Sequence, residues 1–164
     1  MNKVRLGDVC NFQEGYVNPS QSEKKYFGGS IKWLRASDLN EGFVYDTERK
    51  LSEEGFKSAG KSAILFKPNS IAISKSGSIG NLGILKDYMC GNRAVINIDP
   101  IYNKADTRYI FYFLKYNKKR LIKSAGGSIQ KNLYVSILEP LILNHGDLPT
   151  QQKIASVLSA LDDK

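Results

Sequence analysis

The sequence has few of the residues that build metal centres and disulfide scaffolds. Its 164 residues include two cysteines, Cys10 and Cys90, and one histidine, His145. Two thiols are too few for a disulfide scaffold or a thiolate zinc site, and one imidazole cannot supply a histidine cluster. We therefore expect both thiols to be reduced and packed, and we expect neither a metal site nor a cofactor.

Long apolar runs are also missing. The sequence contains no stretch of about 18 consecutive apolar residues, the length that a membrane span requires. Residues 1–5, Met-Asn-Lys-Val-Arg, lack the apolar segment of a secretory signal. We therefore expect a cytoplasmic protein with no membrane partner. At this length the chain can form one domain with a proper hydrophobic core.

Acidic residues are scarce in one segment of the chain. Residues 104–132 hold eight basic side chains and one acidic side chain, Asp106. Residues 1–59 are balanced with nine of each sign, residues 60–103 hold five basic and two acidic, and residues 133–164 hold two basic and four acidic. Most of the net charge of +8 is therefore concentrated in one stretch. Such clustering favours a polyanionic partner over charge that merely keeps the protein soluble.

The first hundred residues read as short strands separated by turn residues. A Lys67-Pro68-Asn69-Ser70 segment has the composition of a hairpin turn, and Ser52 is a suitable cap for a short helix. The pattern predicts an α/β (α+β) fold with a mixed, largely antiparallel sheet and a few helices. The expected strands are Ile31–Leu34, Phe43–Tyr45, Ala63–Phe66, Ile71–Ser74, Gly83–Leu85 and Ala94–Ile98.

The hydrophobic period changes after Asp106. Apolar residues recur at helical spacing from Ile110 to Leu121, so we predict a helix that Asp106 caps and Gly126 terminates. The segment 133–143 then reads as a strand interrupted by Pro140.

A second amphipathic helix is predicted from Thr150 to Lys164. Its apolar residues follow the i, i+3, i+4, i+7 pattern, and they are Ile154, Val157, Leu158 and Leu161. A narrow apolar stripe of this kind is typical of a coiled-coil seam, so we expect a partner helix or self-association. Packing of the stripe against its own domain is the alternative.

Six short motifs, taken in order, resemble those of a known family. The chain is similar to the target recognition domain of the specificity (S) subunit of type I restriction-modification systems, followed by the start of that family's conserved spacer helix. The motifs are Val4-Arg5-Leu6-Gly7-Asp8-Val9, Gly29 to Leu34, Ser37-Asp38-Leu39, Ser76 to Gly80, Gly126 to Gln130, and Leu148 to Ala155 with Leu158 and Leu161-Asp162.

The resemblance implies a non-catalytic protein that recognises double-stranded DNA by sequence. Residues 1–147 would form the target recognition domain, and residues 148–164 would begin the spacer and dimerisation helix. Methylation and restriction subunits on other chains would carry out the chemistry. Family members usually carry two recognition domains, each of which reads half of a bipartite site. This chain would therefore be a half-length subunit or a piece of a longer protein.

Candidate base contacts are side chains that can pair with base edges, namely Arg, Lys, Asn and Gln. Gln130, Lys131 and Asn132, with Ser128, lie in the glycine-started loop after the basic helix. Arg35 and Arg93 lie near predicted strand ends, where a salt bridge is the alternative role. The loop 16–26 is a further candidate.

Candidate phosphate contacts are cations and hydroxyls near these loops. They are Lys75, Ser76, Ser78, Lys24, Lys25, Lys118, Lys119, Arg120 and Lys123. The last four also complement the dipole of the helix that carries them, and the group from Lys75 to Ser78 also fits a purely structural loop.

Enzyme signatures are weak in this sequence. Ser58-Ala59-Gly60-Lys61 matches one penicillin-binding motif but lacks its companions, and Glu23-Lys24-Lys25 lacks the paired carboxylate of a metal-dependent nuclease. His145 has no glycine-flanked nucleophile to serve. The main alternative function is a protein interaction module that binds through its last helix, with the basic segment contacting acidic protein or RNA.

Overall fold

A computed structural model describes residues 1–126 and 131–163 of the chain. The strands in chain order are β1 (Asn2–Arg5), β2 (Cys10–Glu14), β3 (Phe27–Leu34), β4 (Phe43–Val44), β5 (Arg49–Leu51), β6 (Ile71–Ser74), β7 (Leu82–Leu85), β8 (Cys90–Gly91), β9 (Val95–Pro100) and β10 (Ile142–His145). The helices are α1 (Leu6–Val9), α2 (Glu53–Lys57), α3 (Thr107–Tyr116), α4 (Lys118–Ser124), α5 (Val135–Leu138) and α6 (Leu148–Asp162).

Within these ranges the strands form three sheets. The largest has the order β2-β9-β6-β7-β4, the second has the order β5-β3-β8, and β1 pairs with β10. The β4–β7 and β3–β8 pairs are parallel, and the other pairs are antiparallel. The α+β fold with a mixed, largely antiparallel sheet is therefore confirmed.

The central strands of the large sheet are buried on both faces. Ile71 and Ile73 of β6 face one apolar cluster, which they share with Ile110 and Leu114 of α3, while Ala72 faces a second cluster on the other side of the sheet. Successive side chains of a strand point to opposite faces, so a strand covered on both sides reads as a continuous apolar run. This explains why the sequence pattern located β6, β7 and β9 within a residue or two.

A third apolar cluster lies under the small sheet. Trp33 of β3 packs with Val17, Leu51 and Cys90, and its indole Nε1 donates a hydrogen bond to the Val17 carbonyl at 2.8 Å. This bond secures the start of the long loop between β2 and β3 against the sheet. The cluster therefore determines where the polar side chains of that loop lie.

The basic helix begins as predicted and breaks in the middle. The Asp106 carboxylate accepts a hydrogen bond from the Tyr109 amide at 3.0 Å, as an N-cap residue should. At Asn117 the backbone leaves helical geometry, and the Asn117 side-chain amide donates to the Phe113 carbonyl at 2.8 Å. The segment thus forms α3 and α4, and α4 ends at Ser124, two residues before the predicted terminator Gly126.

Two predicted strands are wrong. The segment 63–66 has only an isolated bridge, between Phe66 and Met89, and it follows a 3-10 turn at Gly60–Ser62. The segment predicted as one strand from 133 to 143 instead contains α5, a turn and the first half of β10. Short apolar runs fit helix and strand periods about equally well, so periodicity alone could not distinguish a helix from a strand.

The last helix begins two residues earlier than predicted and packs against its own domain with one face. Asp147 caps α6, and the Asp147 carboxylate accepts from the Thr150 amide at 2.9 Å. The buried Gln151 side chain accepts from the Asp106 amide and donates to the Lys104 and Gly146 carbonyls. The helix is therefore joined to the start of α3 by polar contacts as well as by apolar ones.

Both cysteines are free and buried, as expected. Burial raises the pKa of Cys10 and of Cys90 to about 12, so neither thiol ionises near neutral pH. No helix in the described part of the chain is long and apolar enough to cross a membrane.

Candidate nucleic-acid interface

Several predicted contact residues meet on one side of the molecule, where the ends of β2, β3, β6 and β9 come together. The Asn92 amide donates to the Leu34 carbonyl at 3.0 Å, which places Arg35 beside the segment that carries Arg93. The Lys75 amide donates to the Ala94 carbonyl at 2.7 Å. The fold thus brings together Arg35, Arg93 and Lys75, which lie far apart in the sequence.

The same contacts continue into the loop after α4. The Lys75 carbonyl accepts from the Leu133 amide at 2.8 Å, and Asn132 pairs with Gly126 through two backbone hydrogen bonds of 2.7 and 3.0 Å. Asn132 is partly buried and Lys131 is exposed. The predicted base contacts Ser128 and Gln130 lie outside the described residues.

The glycine-containing loop after β6 rests against α4. Gly77 and Gly80 have φ angles of +73° and +86°, a left-handed conformation that glycine adopts without strain. A Cβ added to Gly80 would lie 3.3 Å from Lys118 Cγ. Ser76 is partly buried, Ser78 is exposed, and the Ser78 carbonyl accepts from the Ser74 hydroxyl. The fold therefore joins the loop 75–80 to the basic helix. We call the surface formed by Arg35, Arg93, the loop 75–80 and α4 the basic surface.

The cations of the basic surface differ in how far their charge is already neutralised. Lys118 Nζ lies 2.8 Å from Glu41 Oε1 and 2.9 Å from Asn81 Oδ1. Lys119, Arg120 and Lys123 are exposed, and within residues 1–126 and 131–163 none of them pairs with a carboxylate. These three side chains are therefore better placed than Lys118 to meet a new anion.

Lys75 is held by a carboxylate. Its Nζ lies 2.6 Å from Glu14 Oε1, and the Tyr16 hydroxyl donates to Glu14 Oε2 at 2.8 Å. The hydrogen bond from Lys75, and secondarily the one from Tyr16, hold the pKa of Glu14 below its usual value against the opposing effect of burial. A phosphate at Lys75 would have to share the ammonium with Glu14.

Arg35 takes part in the salt bridges that were the alternative to DNA contact. Its Nη2 lies 3.2 Å from Glu48, its Nε lies 3.9 Å from Asp38, and its guanidinium stacks 5.7 Å from the Trp33 ring centroid. Arg93 is exposed, and its backbone amide donates to the Asn18 side chain at 2.9 Å. The loop 16–26 and Arg93 are therefore neighbours.

The remaining phosphate candidates lie in the loop 16–26 itself. Lys24 and Lys25 are exposed in a 3-10 turn at Lys24–Tyr26. Lys25 Nζ lies 3.8 Å from Glu54, a surface pair of small energetic effect. Both lysines are thus available to solvent.

Arg49 lies near this loop and was missed by the sequence reasoning. Its guanidinium carbon is 4.1 Å from the Phe27 ring centroid, and its Nη1 lies 2.6 Å from the Gln21 side-chain oxygen. Arg49 belongs to β5, a short polar strand without the apolar alternation that identifies strands, in a segment of balanced charge. The pairing of β5 with β3, which only the fold shows, is what places Arg49 against the aromatic rings.

The predicted partner residues of α6 are mostly exposed. Val157, Leu158 and Leu161 have exposed fractions of 57%, 36% and 61%, and Ile154 is half-buried. Leu158 also lines a shallow apolar groove with side chains of α3, which are Tyr109, Tyr112, Phe113, Lys115 and Tyr116. An apolar surface therefore runs from α6 onto α3.

Metal ligands do not cluster in the part of the chain that the structure describes. No group of three or more His, Cys, Asp or Glu side chains in residues 1–126 and 131–163 is placed to hold a metal ion. The basic surface presents cations, amides and hydroxyls, which are groups that can contact phosphates.

Comparisons of this chain with known proteins all point to one family. The family model described as "Type I restriction modification DNA specificity domain" matches residues 1–164. The type I restriction enzyme MjaIX specificity subunit of Methanocaldococcus jannaschii is 31% identical over 163 residues, which cover 96% of this chain and 36% of that protein. The putative type I specificity subunit S.MpnORF638P of Mycoplasma pneumoniae is 32% identical over 157 residues, which cover 89% of this chain and 40% of that protein.

Solved structures show the same fold. The HsdS subunit from Thermoanaerobacter tengcongensis superposes with a TM-score of 0.74 at 18% identity, over 99% of this chain and 37% of that one. The S subunit of a type I restriction-modification system from M. genitalium gives a TM-score of 0.67 at 18% identity, over 99% and 39%. The chain thus spans 36% to 40% of the length of these four relatives.

Proposed function

This chain belongs to the family of type I restriction modification DNA specificity domains, and on that premise we propose that it recognises double-stranded DNA by sequence. It would act as a non-catalytic specificity subunit, or as half of one, and direct methylation and cleavage by other subunits. A cytoplasmic location, where DNA and these subunits occur, is part of the same proposal.

The observation that carries the proposal is the convergence of the basic surface. Arg35, Arg93 and Lys75 come together from strand ends that are 18 to 58 residues apart in the chain, and backbone hydrogen bonds hold them in place. Phosphate contacts by cations supply affinity, whereas contacts with base edges supply sequence choice. A surface that combines exposed cations with side chains on well-packed loops suits both tasks.

The roles within the surface follow from chemistry and exposure. The proposed base contacts are Arg35, Arg93, Ser128, Gln130, Lys131 and Asn132, and the proposed phosphate contacts are Lys24, Lys25, Lys75, Ser76, Ser78, Lys118, Lys119, Arg120 and Lys123. Among the phosphate contacts, the exposed cations of α4 should contribute most, because Lys75 and Lys118 already have carboxylate partners.

The division of the chain into residues 1–147 as the recognition domain and 148–164 as the start of the spacer helix is also proposed. The buried side of α6 joins the recognition domain through Gln151 and Ala155. Its other side, with Val157, Leu158 and Leu161, is free to pair with a helix of a second copy or of a methylation subunit. The neighbouring tyrosines of α3 would extend that contact.

A selection experiment tests the proposed function. The chain, assembled with the methylation subunit of its system, is incubated with a library of randomised duplexes, and the retained DNA is sequenced at several salt concentrations. We expect one short sequence to be enriched and the affinity to fall steeply with ionic strength, with a log-log slope of about −0.9 for each phosphate contacted. Retention without any sequence preference would contradict sequence recognition.

The alternative function makes a different prediction in the same experiment. An interaction module whose basic surface binds RNA or acidic protein would retain duplex DNA poorly or without preference. Competition with single-stranded RNA and with an acidic polypeptide separates these outcomes. Displacement of a selected duplex by RNA at equal nucleotide concentration would favour the alternative.

A further inference from the structure

We propose that Arg49, oriented by Gln21, reads a guanine in the target sequence. This inference rests on the proposed function and extends it, because it names one specificity residue and the base that it recognises. Arg49 belongs to none of the motifs that connect the chain with its family.

The Arg49 side chain is held in one orientation. Its guanidinium carbon lies 4.1 Å from the Phe27 ring centroid and 5.5 Å from that of Trp33, and the two rings themselves meet edge to face at 5.7 Å. Trp33 is buried, so the support is rigid. A guanidinium that is already ordered loses little conformational entropy when it forms hydrogen bonds with a base.

The charge of Arg49 remains uncompensated by a carboxylate. Two arginines stack on Trp33, and Arg35 is the one that pairs with Glu48 and Asp38. Within residues 1–126 and 131–163, the hydrogen-bond partner of the Arg49 guanidinium is the neutral Gln21 side chain, at 2.6 Å. Arg49 can therefore meet an electron-rich base edge without breaking an ion pair.

Arg49 also lies next to residues of the basic surface. Gln21 is exposed in the loop 16–26, and Asn18 of the same loop accepts a hydrogen bond from the Arg93 amide. The two arginines thus flank one loop, with the Arg49 side chain partly exposed. A duplex that contacts Arg93 and this loop would come within reach of Arg49.

Guanine is the base that fits this arrangement. Its major-groove edge offers two adjacent acceptors, O6 and N7, and a guanidinium can donate to both at once. The bond to Gln21 uses one hydrogen of Nη1, so Nη2, Nε and the second Nη1 hydrogen remain available. Lysine has the same charge but a single flexible ammonium group, and it cannot reproduce this planar pair of donors.

The test compares the selected sequences of four variants in the duplex-library experiment. Arg49→Lys keeps the charge and removes the planar donor pair, Gln21→Ala removes the orienting bond, and Arg49→Ala removes both donor pair and charge. Lys3→Ala is the matched control, because Lys3 is an exposed cation on β1, outside the basic surface. Thermal unfolding of each variant is recorded alongside.

We expect Arg49→Lys and Arg49→Ala to lose the preference for guanine at one position, with a fall in discrimination of about 5-fold to 150-fold, while the other positions keep theirs. Gln21→Ala should weaken the same position, and Lys3→Ala should change none. If Arg49→Ala does not fold, the charge-preserving Arg49→Lys and the substitution of the exposed Gln21 by alanine still decide the question.

An unchanged target sequence in Arg49→Lys and Gln21→Ala would overturn the inference. So would an equal loss of affinity for all duplexes, which would show that Arg49 only supports the loop. Failure of the proposed function has a different signature, since the unmodified chain would then select no sequence at all. The two failures are therefore distinguishable in one data set.

Discussion

Replacement of Lys119 and Arg120 together by alanine should weaken DNA binding and make it less sensitive to salt. Both side chains are exposed on α4, and neither pairs with a carboxylate in the described part of the chain. They are thus free to replace counterions on two phosphates. Because phosphates are the same in every sequence, the loss should be equal for selected and random duplexes.

The magnitude follows from counterion release. Each phosphate contact contributes about 0.9 to the slope of log affinity against log salt concentration, so the double variant should have a slope shallower by about 1.8. Between 50 and 200 mM salt, the affinity advantage of the unmodified chain should therefore shrink by about 12-fold. Fluorescence anisotropy with a labelled duplex at four salt concentrations measures this ratio.

Two controls separate the effect from other causes. Lys3→Ala with Lys153→Ala removes two exposed cations from β1 and α6, away from the basic surface, and should leave the slope within about 0.3 of the original. Lys118→Ala should change the slope less than a free phosphate contact would and should also lower stability, because Lys118 Nζ is bonded to Glu41 and Asn81. A ratio of affinities that stays constant from 50 to 200 mM would refute phosphate contact by Lys119 and Arg120.

Three further predictions concern the base contacts, the last helix and the response to acid. Asn132→Ala should relax base choice at one position by about 1 to 3 kcal/mol in duplex selection, with its backbone pairing to Gly126 intact, and an unchanged consensus would count against a base contact. Leu158→Lys should abolish self-association or binding of a methylation subunit, since it places a charge in the apolar surface of α6 and α3, and an unaltered sedimentation profile and partner affinity would disprove this. The pKa of Glu14 is lowered by Lys75 in the folded state, so its stabilisation is present above about pH 4.5 and is lost as the pH falls through the lower folded pKa. Glu14→Gln should accordingly flatten the acid side of a plot of unfolding free energy against pH, and an identical curve would show that the pair contributes nothing.

The strands that carry the core could be predicted because their burial on both faces produces a recognisable apolar pattern in the sequence. β6, β7 and β9 are covered on both faces; β6 and β7 read as apolar runs between turn residues, and in β9 the buried Asn97 interrupts the run. β1, β2 and β5 were missed because each of them buries at most one side chain, and their polar side chains carry no such pattern. α5 was mistaken for a strand because a single helical turn shows too few residues to reveal its period.

The candidate site was partly predictable for a related reason. The excess of cations in residues 104–132 is a property of composition, and it indicated a polyanionic partner before any fold was known. Composition does not show which cations are already neutralised. Lys118 and Lys75 differ from Lys119 and Arg120 only because the fold places Glu41 and Glu14 beside the first two.

The sequence by itself determined the fold class, the family and the charge of the surface, since local patterns, ordered motifs and composition can be read without knowledge of tertiary contacts. Only the tertiary structure decided which of those charges face solvent and which distant residues share a surface. The stacking of Arg49 on Phe27 and Trp33 is one such result. Its cause is the pairing of β5 with β3. These strands are separated along the chain, and no local sequence pattern reveals that they pair.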